Sequence, residues 1–274
     1  MKPAPRTNKK KTQDLRERVR AYWELPTTVS IIDKNLHLLE IDAVSRHLLP
    51  TDRVADIGCG NGEATVRYAS LVRECIGFER SATMRERARK SARKAGASNL
   101  RFVAGDLLKL DLRQEFDVVI SQRLLINLVS WEDQCKGLEI IRRMLKPGGR
   151  AILVENTNDG AQELNLWRSR VGLPPIPQHW HNRFFDREAF MDFLQGRFQL
   201  LKHYDFGLYY LLTRVYTQMF ASFQGWGPTA VKDPIFEKTD HAARILLETF
   251  GDRIRIEGCP SLGPIQVFVL RREQ

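Results

Sequence analysis

The chain has 274 residues, a formal net charge of +10 and 28% charged side chains. This composition excludes collagen-like, low-complexity and wholly disordered chains, and the length suits one large domain or two small ones. No run approaches the roughly eighteen apolar residues of a membrane span, and no apolar run follows the basic start, so a secretory signal peptide is not expected. The four cysteines form no Cys-x-x-Cys pair, which favours a reduced, cytoplasmic compartment without a zinc cluster or a disulfide framework.

The positive charge is concentrated in two segments. Residues 1–20 and residues 80–94 each carry a net charge of +6, and the rest of the chain sums to −2. We interpret residues 1–12 as a disordered basic arm because they contain almost nothing to bury. The arm either keeps the protein in solution or binds the phosphates of nucleic acid or lipid. The second segment is either the solvated face of an outer helix or a surface for an anionic partner.

The N-terminal part predicts two helices. The first begins at Asp14, carries Tyr22 and Trp23 near its end, and stops at about Leu25 before Pro26. The second occupies residues 29–49, where apolar side chains recur at helical spacing.

The next hundred residues alternate short apolar runs with helical patterns. Strands are predicted at Arg53–Ile57, Glu74–Phe78, Leu100–Ala104, Phe116–Ser121 and Arg150–Glu155. Helices are predicted at 63–71, 81–95 and 132–145, the last ended by Lys146-Pro147-Gly148-Gly149. This alternation is typical of a parallel sheet with helices on both faces, whose strand carboxyl ends meet at one edge.

The second half is less regular. Residues 156–183 are predicted to be a loop, Phe184–Leu194 a helix and Phe198–Phe206 a strand. Helices are expected at 208–222 and 240–250, and Pro264–Leu270 forms the last strand. The aromatic residues Tyr209 and Tyr210 either line a substrate pocket or form one face of a core helix.

The loop after the first strand carries the main functional signal. It reads Asp56-Ile57-Gly58-Cys59-Gly60-Asn61-Gly62, and glycines at alternate positions let the backbone turn tightly beside a ligand. A dinucleotide fingerprint would need a glycine at residue 63, where the chain has Glu63. An acidic residue in the loop favours a cationic ligand over a phosphate. Glu79, at the end of the second strand, is placed to accept ribose hydroxyls.

With Gly105-Asp106-Leu107 and the Leu145–Gly149 hinge, these motifs resemble the class I S-adenosylmethionine-dependent methyltransferases over residues 50–156. The resemblance implies an α/β fold with a seven-stranded, mostly parallel, doubly wound sheet, an antiparallel last strand and helical inserts. It implies a single domain over 13–274, with a cofactor-binding core at 50–156. Residues 157–197 and 207–258 would then be substrate or cap inserts, and 198–206 with 264–271 the final strand pair.

The resemblance also assigns residues to S-adenosylmethionine, whose product is S-adenosylhomocysteine. Asp56 matches the acidic residue near the methionine amino group, although it could instead cap the following helix. Gly58, Gly60 and Gly62 match the glycines of close approach, with Cys59 between them. Glu79 matches the ribose ligand, and Asp106 with Leu107 matches the adenine-edge pair. The remaining expected cofactor contacts are Met84, which could equally be a core residue, Ser121, Gln122, Tyr22 and Trp23, the last two as a lid.

Several polar and aromatic residues are candidates for the acceptor side. His179 and His181 could act as general bases or could be ordinary loop residues. The expected substrate contacts are Arg123, Asn156, Trp180, Asn182, Tyr209 and Tyr210. The chain has Ser121-Gln122-Arg123 where many amino-methyltransferases carry an Asn-Pro-Pro-Tyr-type motif, which argues against a base-amine acceptor.

These features predict methyl transfer by direct in-line displacement to a small polar acceptor, such as a saccharide or a secondary metabolite, without a metal. An RNA methyltransferase that uses the basic segments is the first alternative, and a non-catalytic S-adenosylmethionine-binding regulator is the second. Nucleic acid is therefore a less favoured partner than a small molecule. The sequence leaves the oligomeric state open.

Overall fold

In the computed structural model of the chain, the described residues are 9–25, 27–28, 32–223, 234–250 and 261–273. Helix α1 (Lys9–Glu24) begins earlier than predicted, so residues 9–12 are helical and do not belong to a disordered arm. Residues 1–8, the rest of that arm, lie outside the described residues, as does Pro26. Among the described residues, no helix has the length and hydropathy of a membrane-spanning segment.

Seven strands form one sheet. They are β1 (Arg53–Ile57), β2 (Glu74–Glu79), β3 (Leu100–Ala104), β4 (Phe116–Gln122), β5 (Leu145–Asn156), β6 (Phe198–Asp205) and β7 (Ile265–Arg272). Their order is β3-β2-β1-β4-β5-β7-β6, and β7 runs antiparallel to both of its neighbours. The predicted fold class is confirmed. The order reverses between β1 and β4, which is where open α/β sheets bind their ligands.

The helices predicted at 63–71, 81–95 and 132–145 agree with the structure to within two residues at each end, whereas the one predicted at 29–49 is shorter and its residues 29–31 lie outside the described residues. The helices after α1 are α2 (Lys34–Ser45), α3 (Glu63–Ala69), α4 (Ala82–Ala95), α5 (Trp131–Met144), α6 (Asn158–Arg170) and α7 (Arg187–Leu194), followed by α8 (Gly207–Tyr210), α9 (Thr217–Phe223) and α10 (Pro234–Phe250). A π-helical stretch, Leu211–Tyr216, joins α8 to α9. The hinge Lys146–Gly149 proves to lie inside β5, which begins at Leu145 directly after α5.

Each face of the sheet has its own apolar core, because neighbouring side chains of a strand point to opposite faces. In β1, Val54 packs with α2 and α3 on one face, and Ala55 and Ile57 pack with α5 and α7 on the other. Asp56 therefore points to the same face as Val54. It lies between two buried apolar neighbours at the carboxyl end of a central strand.

The loop prediction for 156–183 is wrong for residues 158–170, which form α6. The Thr157 hydroxyl accepts the Gly160 N–H and caps this helix, a signal that the neighbouring glycine and asparagines obscured. The buried Arg168 then donates hydrogen bonds to the backbone carbonyls of Pro174 and Arg214, which fixes the following proline-rich loop against the π-helical stretch.

Candidate active site

A cavity of about 380 Å³ lies at the carboxyl ends of the parallel strands, under α1. A smaller cavity of about 60 Å³ shares four lining residues with it: Gly58, Gly60, Gln122 and Arg123. Most of the predicted site residues line the larger cavity. These are Tyr22, Trp23, Gly58, Gly60, Glu79, Met84, Asp106, Leu107, Gln122, Arg123, Asn156, His179, His181 and Asn182. Asp56 and Cys59 line the smaller one.

The glycines of the loop between β1 and α3 all have left-handed backbone angles, with φ of 70° at Gly58, 54° at Gly60 and 74° at Gly62. At Gly62 a Cβ atom would lie 2.7 Å from Phe102 Cζ and 2.8 Å from Ala88 Cβ, so only glycine lets α4 and β3 pack this closely. Gly60 has open space beside it. The loop is therefore held by packing on one side and open toward a ligand on the other.

Asp56 is fully buried behind this loop. Its Oδ2 accepts a hydrogen bond of 2.6 Å from the Thr65 hydroxyl, a side chain inside α3, so Asp56 does not cap that helix. Burial raises the pKa of Asp56 to about 6, against the lowering effect of Thr65 and with a smaller contribution from the charge of Glu79. A buried carboxylate at this place favours a positively charged ligand.

Glu79 is the last residue of β2 and is oriented by backbone N–H groups. Its Oε2 accepts from Gly60 at 3.1 Å and its Oε1 from Ser81 at 2.7 Å, which leaves each oxygen a further lone pair for a ligand hydroxyl. Burial raises the pKa of Glu79, although these two bonds act in the opposite direction. Met84 is buried and lines the cavity below this carboxylate.

Asp106 lies at the end of β3 with one oxygen on the Leu108 N–H and the other 2.7 Å from the Arg20 guanidinium. This contact belongs to a set that holds α1 over the cavity. Arg16 binds Asp133 with two hydrogen bonds of 2.8 and 2.9 Å, and Trp23 Nε1 donates to Asn127. Tyr22 and Trp23 thus line the cavity from the side of α1, which is the position expected of a lid.

The loop after α6 contributes His179, His181 and Asn182 to the lining of the cavity. The His181 ring stacks on Tyr22 with centroids 4.7 Å apart and on His179 at 5.6 Å. Burial, and to a smaller extent His179, lowers the pKa of His181. Its Nδ1 is buried and has no hydrogen-bond partner among the described residues. Trp180 does not line the cavity; it is half exposed and carries Arg18 over its ring.

Besides Trp180, four predicted contacts lie outside both cavities. Gly62 packs against α4 as described above. Ser121 is buried and donates its hydroxyl to Glu155 Oε1 at 2.7 Å. Tyr209 and Tyr210 belong to the core, as the alternative interpretation of that helix holds. The Tyr209 hydroxyl reaches Asp33, which does line the cavity, so Tyr209 orients a lining residue.

A polar group on the sheet side of α2 was not predicted from the sequence. His37 and Glu40 are buried there, and Gln122 Nε2 donates to Glu40. The sequence did contain a signal for this group, because two ionisable side chains, His37 and Glu40, interrupt the otherwise apolar run His37–Ile41. Glu155 was also missed. It accepts the N–H groups of Leu125 and Ile126 and so shapes the loop after β4.

Comparisons with known proteins agree with this geometry. The profile described as "Methyltransferase domain" matches residues 49–183. The uncharacterized methyltransferase YcgJ of Bacillus subtilis is 33% identical over 104 residues, which is 38% of this chain and 40% of YcgJ. The 23S rRNA (uracil(1939)-C(5))-methyltransferase RlmD of Xanthomonas campestris is 40% identical over 76 residues, 26% of this chain and 17% of RlmD. The chain thus spans less than half the length of these curated relatives.

Solved structures show the same fold. The YcgJ crystal structure superposes with a TM-score of 0.52 at 19% identity and covers 87% of this chain and 99% of its own. The N-methyltransferase NodS of Bradyrhizobium japonicum, in complex with S-adenosylhomocysteine, gives a TM-score of 0.52 at 12% identity over 95% of this chain and 99% of NodS. With the domain match, the glycine loop and the strand order together, residues 49–183 are identified as a class I S-adenosylmethionine-dependent methyltransferase domain.

Proposed function

We propose that this protein transfers the methyl group of S-adenosylmethionine to a small polar acceptor by direct in-line displacement. One observation carries the proposal. A single cavity is lined by the glycine loop and Glu79 on one side and by His179, His181 and Asn182 on the other. Cofactor and acceptor groups therefore share one space under α1, which is what a direct transfer needs.

The residues present fit this cofactor. The two oxygens of Glu79 suit the paired hydroxyls of a ribose, and Asp106 can accept from an exocyclic amino group. The buried Asp56 carboxylate suits a cationic ligand, and the buried Met84 offers an apolar contact to an adenine ring. When bound, the cofactor supplies an electrophilic methyl group on a sulfonium centre.

The protein's own contribution is alignment and the exclusion of water. Tyr22 and Trp23 cover the cavity from α1, and the His179–Asn182 loop covers it from the acceptor side. His181 is the favoured proton acceptor, because its lowered pKa keeps the ring neutral near neutral pH and its Nδ1 is unpaired within the described chain. This role is needed only for an acceptor hydroxyl or a protonated amine.

Two experiments test the proposal. Calorimetry with S-adenosylhomocysteine should give saturable binding that Glu79→Gln weakens about tenfold or more. Glu74→Gln, at the opposite end of β2 where the carboxylate binds Arg53, is the matched control and should bind like the wild type. A labelled-methyl screen of cell extract, divided into small-molecule and macromolecular fractions, should label the small-molecule fraction. Binding without any labelled product would support a non-catalytic regulator instead.

Methylation of RNA is the second candidate. The two basic segments meet in the structure, since α1 packs against α4, and RlmD acts on 23S rRNA. RNA affinity that falls, with a shallower salt dependence, when residues 1–12 are deleted would favour it.

A further inference from the structure

Asp33 places a carboxylate on the wall of the larger cavity that the proposed methyl transfer does not yet use. It is the N-cap residue of α2, and its Oδ1 accepts the Leu36 N–H at 2.9 Å. Its side chain is 13% exposed and lines the cavity together with Asn156 and Ile265. These two neighbours lie on β5 and β7, whereas Glu79 ends β2 on the opposite side of β1. Asp33 therefore belongs to the acceptor half of the cavity.

Two further side chains hold the Asp33 carboxylate in one orientation. The Tyr209 hydroxyl lies 2.8 Å from Oδ1 and 2.9 Å from Oδ2, and Arg214 Nη2 donates a hydrogen bond to Oδ2. Burial, and then the charge of Asp33, raise the pKa of Tyr209, so its hydroxyl keeps its hydrogen and donates it. Arg214 lies in the π-helical stretch between α8 and α9, a rare backbone geometry that is frequent at functional sites.

The carboxylate of Asp33 has one acceptor position to spare. An ionised carboxylate offers about four lone-pair positions, and the described residues supply three hydrogens, from Leu36, Tyr209 and Arg214. Tyr209 lies near both oxygens, but its hydroxyl carries a single hydrogen and fills a single position. Within the described chain, one position is therefore left on a side chain that lines the cavity, where a hydrogen-bond donor of a ligand can bind.

Arg214 does not neutralise Asp33 alone, because a second carboxylate shares its guanidinium. Asp240, on α10, is 13% exposed and its Oδ1 lies 3.7 Å from Arg214 Nη1. Burial raises the pKa of Asp240 to about 6, so this group is ionised near pH 7.5. The neighbouring Arg168 donates to backbone carbonyls and to Gln218, and it forms no ion pair with either carboxylate in the described part of the chain. The group of Asp33, Arg214 and Asp240 thus keeps a negative charge.

We propose that the methyl acceptor carries a protonated primary or secondary amino group, and that Asp33 binds this ammonium through its unfilled acceptor position. The inference rests on the proposed function. An ammonium supplies both the missing hydrogen and the missing charge, and such a hydrogen bond is about twice as strong as a neutral one. A hydroxyl would supply only the hydrogen. Asp33 therefore determines specificity, and Tyr209, Arg214 and Asp240 position it.

The first test removes amino groups from the pool of acceptors and leaves the protein unchanged. The small-molecule fraction of the cell extract is acetylated with N-hydroxysuccinimidyl acetate and then treated with hydroxylamine, which frees acetylated hydroxyls but not acetylated amines. Labelled-methyl transfer by the wild-type protein should fall about tenfold or more relative to a portion given pre-hydrolysed reagent. Transfer that survives the treatment would overturn the inference, because the acceptor would then need no ammonium.

The second test changes the carboxylate. Asp33→Asn removes the charge and keeps an oxygen that can cap α2. It should lower methyl transfer to the untreated fraction roughly 10- to 100-fold, and it should leave the affinity for S-adenosylhomocysteine within about twofold in calorimetry, which shows that the variant is folded. Asp42→Asn, on the same helix where Asp42 pairs with Arg46 at the surface, is the matched control and should change neither property. Unchanged transfer by Asp33→Asn would contradict the proposal.

A third test measures recognition without a known acceptor. Protein saturated with S-adenosylhomocysteine is titrated at pH 7.5 with benzylammonium and, separately, with benzyl alcohol, and binding is followed by ligand-observed NMR. The wild-type protein should bind the ammonium about tenfold more tightly, and Asp33→Asn should remove this preference. Asp240→Asn leaves Arg214 to Asp33 alone and should reduce the preference a few-fold, which keeps the test usable if Asp33→Asn does not fold. Equal affinity of the wild-type protein for both probes would overturn the inference.

The cofactor itself is the other cation that could face Asp33. In that case Asp33→Asn would weaken S-adenosylmethionine, which carries the sulfonium charge, more than S-adenosylhomocysteine, which does not. This outcome would overturn the inference and leave the proposed function standing. Failure of the wild-type protein to bind S-adenosylhomocysteine, or to label any product, would instead refute the proposed function.

Discussion

Asp56→Asn should stabilise the ligand-free protein. Asp56 is 3% exposed, and burial raises its pKa from 3.8 to about 6. A carboxyl group whose pKa is higher in the folded than in the unfolded state destabilises the fold when it is ionised. This difference in pKa corresponds to about 2–3 kcal/mol. Asparagine removes the charge and can still accept the hydrogen bond of Thr65.

The destabilisation by the ionised Asp56 carboxylate depends on pH. The destabilisation is present in full above about pH 6 and decreases as the pH falls below 6. It disappears only below about pH 4, where the carboxyl group becomes protonated in both states. Urea unfolding should therefore show a gain of about 2–3 kcal/mol for Asp56→Asn near pH 7.5, and a gain of less than about 1 kcal/mol near pH 4.5. The same variant should bind S-adenosylmethionine about tenfold or more weakly, because the cation loses its counter-charge.

Asp52→Asn is the matched control. Asp52 is equally buried, but it accepts hydrogen bonds from Arg150, and it precedes the other end of β1. Its replacement should destabilise the fold by about 1–3 kcal/mol and leave ligand affinity unchanged. A loss of stability in Asp56→Asn near pH 7.5, or a gain that does not change with pH, would refute the reasoning about the buried charge.

Three further predictions concern the walls of the cavity. Gly62→Ala should destabilise the fold by about 2–4 kcal/mol, because the new Cβ would contact Phe102 and Ala88 too closely. Gly60→Ala has open space beside it and should cost only about 1–2 kcal/mol, for the left-handed backbone at that position. Equal losses of unfolding free energy for the two variants in urea would contradict this prediction. Trp23→Phe removes the hydrogen bond to Asn127 and should weaken S-adenosylhomocysteine a few-fold in calorimetry, with unchanged affinity arguing against a closed lid. Glu155→Ala leaves buried N–H groups after β4 unpaired and should lower the free energy of unfolding by about 3 kcal/mol or more; a neutral result would show that water replaces the carboxylate.

Local patterns were sufficient for much of the fold. The bounds of β1 and β3 agree with the structure at both ends, because each strand is a short apolar run between turn residues. The loop Asp56–Gly62 and Glu79 were placed correctly at the sheet edge, since parallel strands bring their carboxyl ends together. Helix α6 was missed because its signal depends on one capping hydroxyl inside a polar stretch.

The acceptor side was less predictable, because its members come from distant parts of the chain. Nothing in the sequence brings Tyr22 to His181, or Asp33 to Tyr209, and these contacts exist only once α1 and the inserts pack on the sheet. Tyr209 was expected to contact the substrate because the sequence could not exclude it. Aromatic residues recur at the same helical spacing whether their face of the helix contacts a ligand or the core.

By itself the sequence determined the sheet, the cofactor loop and the family, because these depend on residues that are neighbours along the chain or that recur at a strand or helix period. Only the tertiary structure decided the charge state and partners of the buried polar groups. Asp56 and Glu40 are both carboxylates, yet the pKa of Asp56 is raised and that of Glu40 lowered. The physical reason is that a buried charge is governed by the groups packed against it, and for Glu40 the main one, Arg123, lies 83 residues away in the sequence.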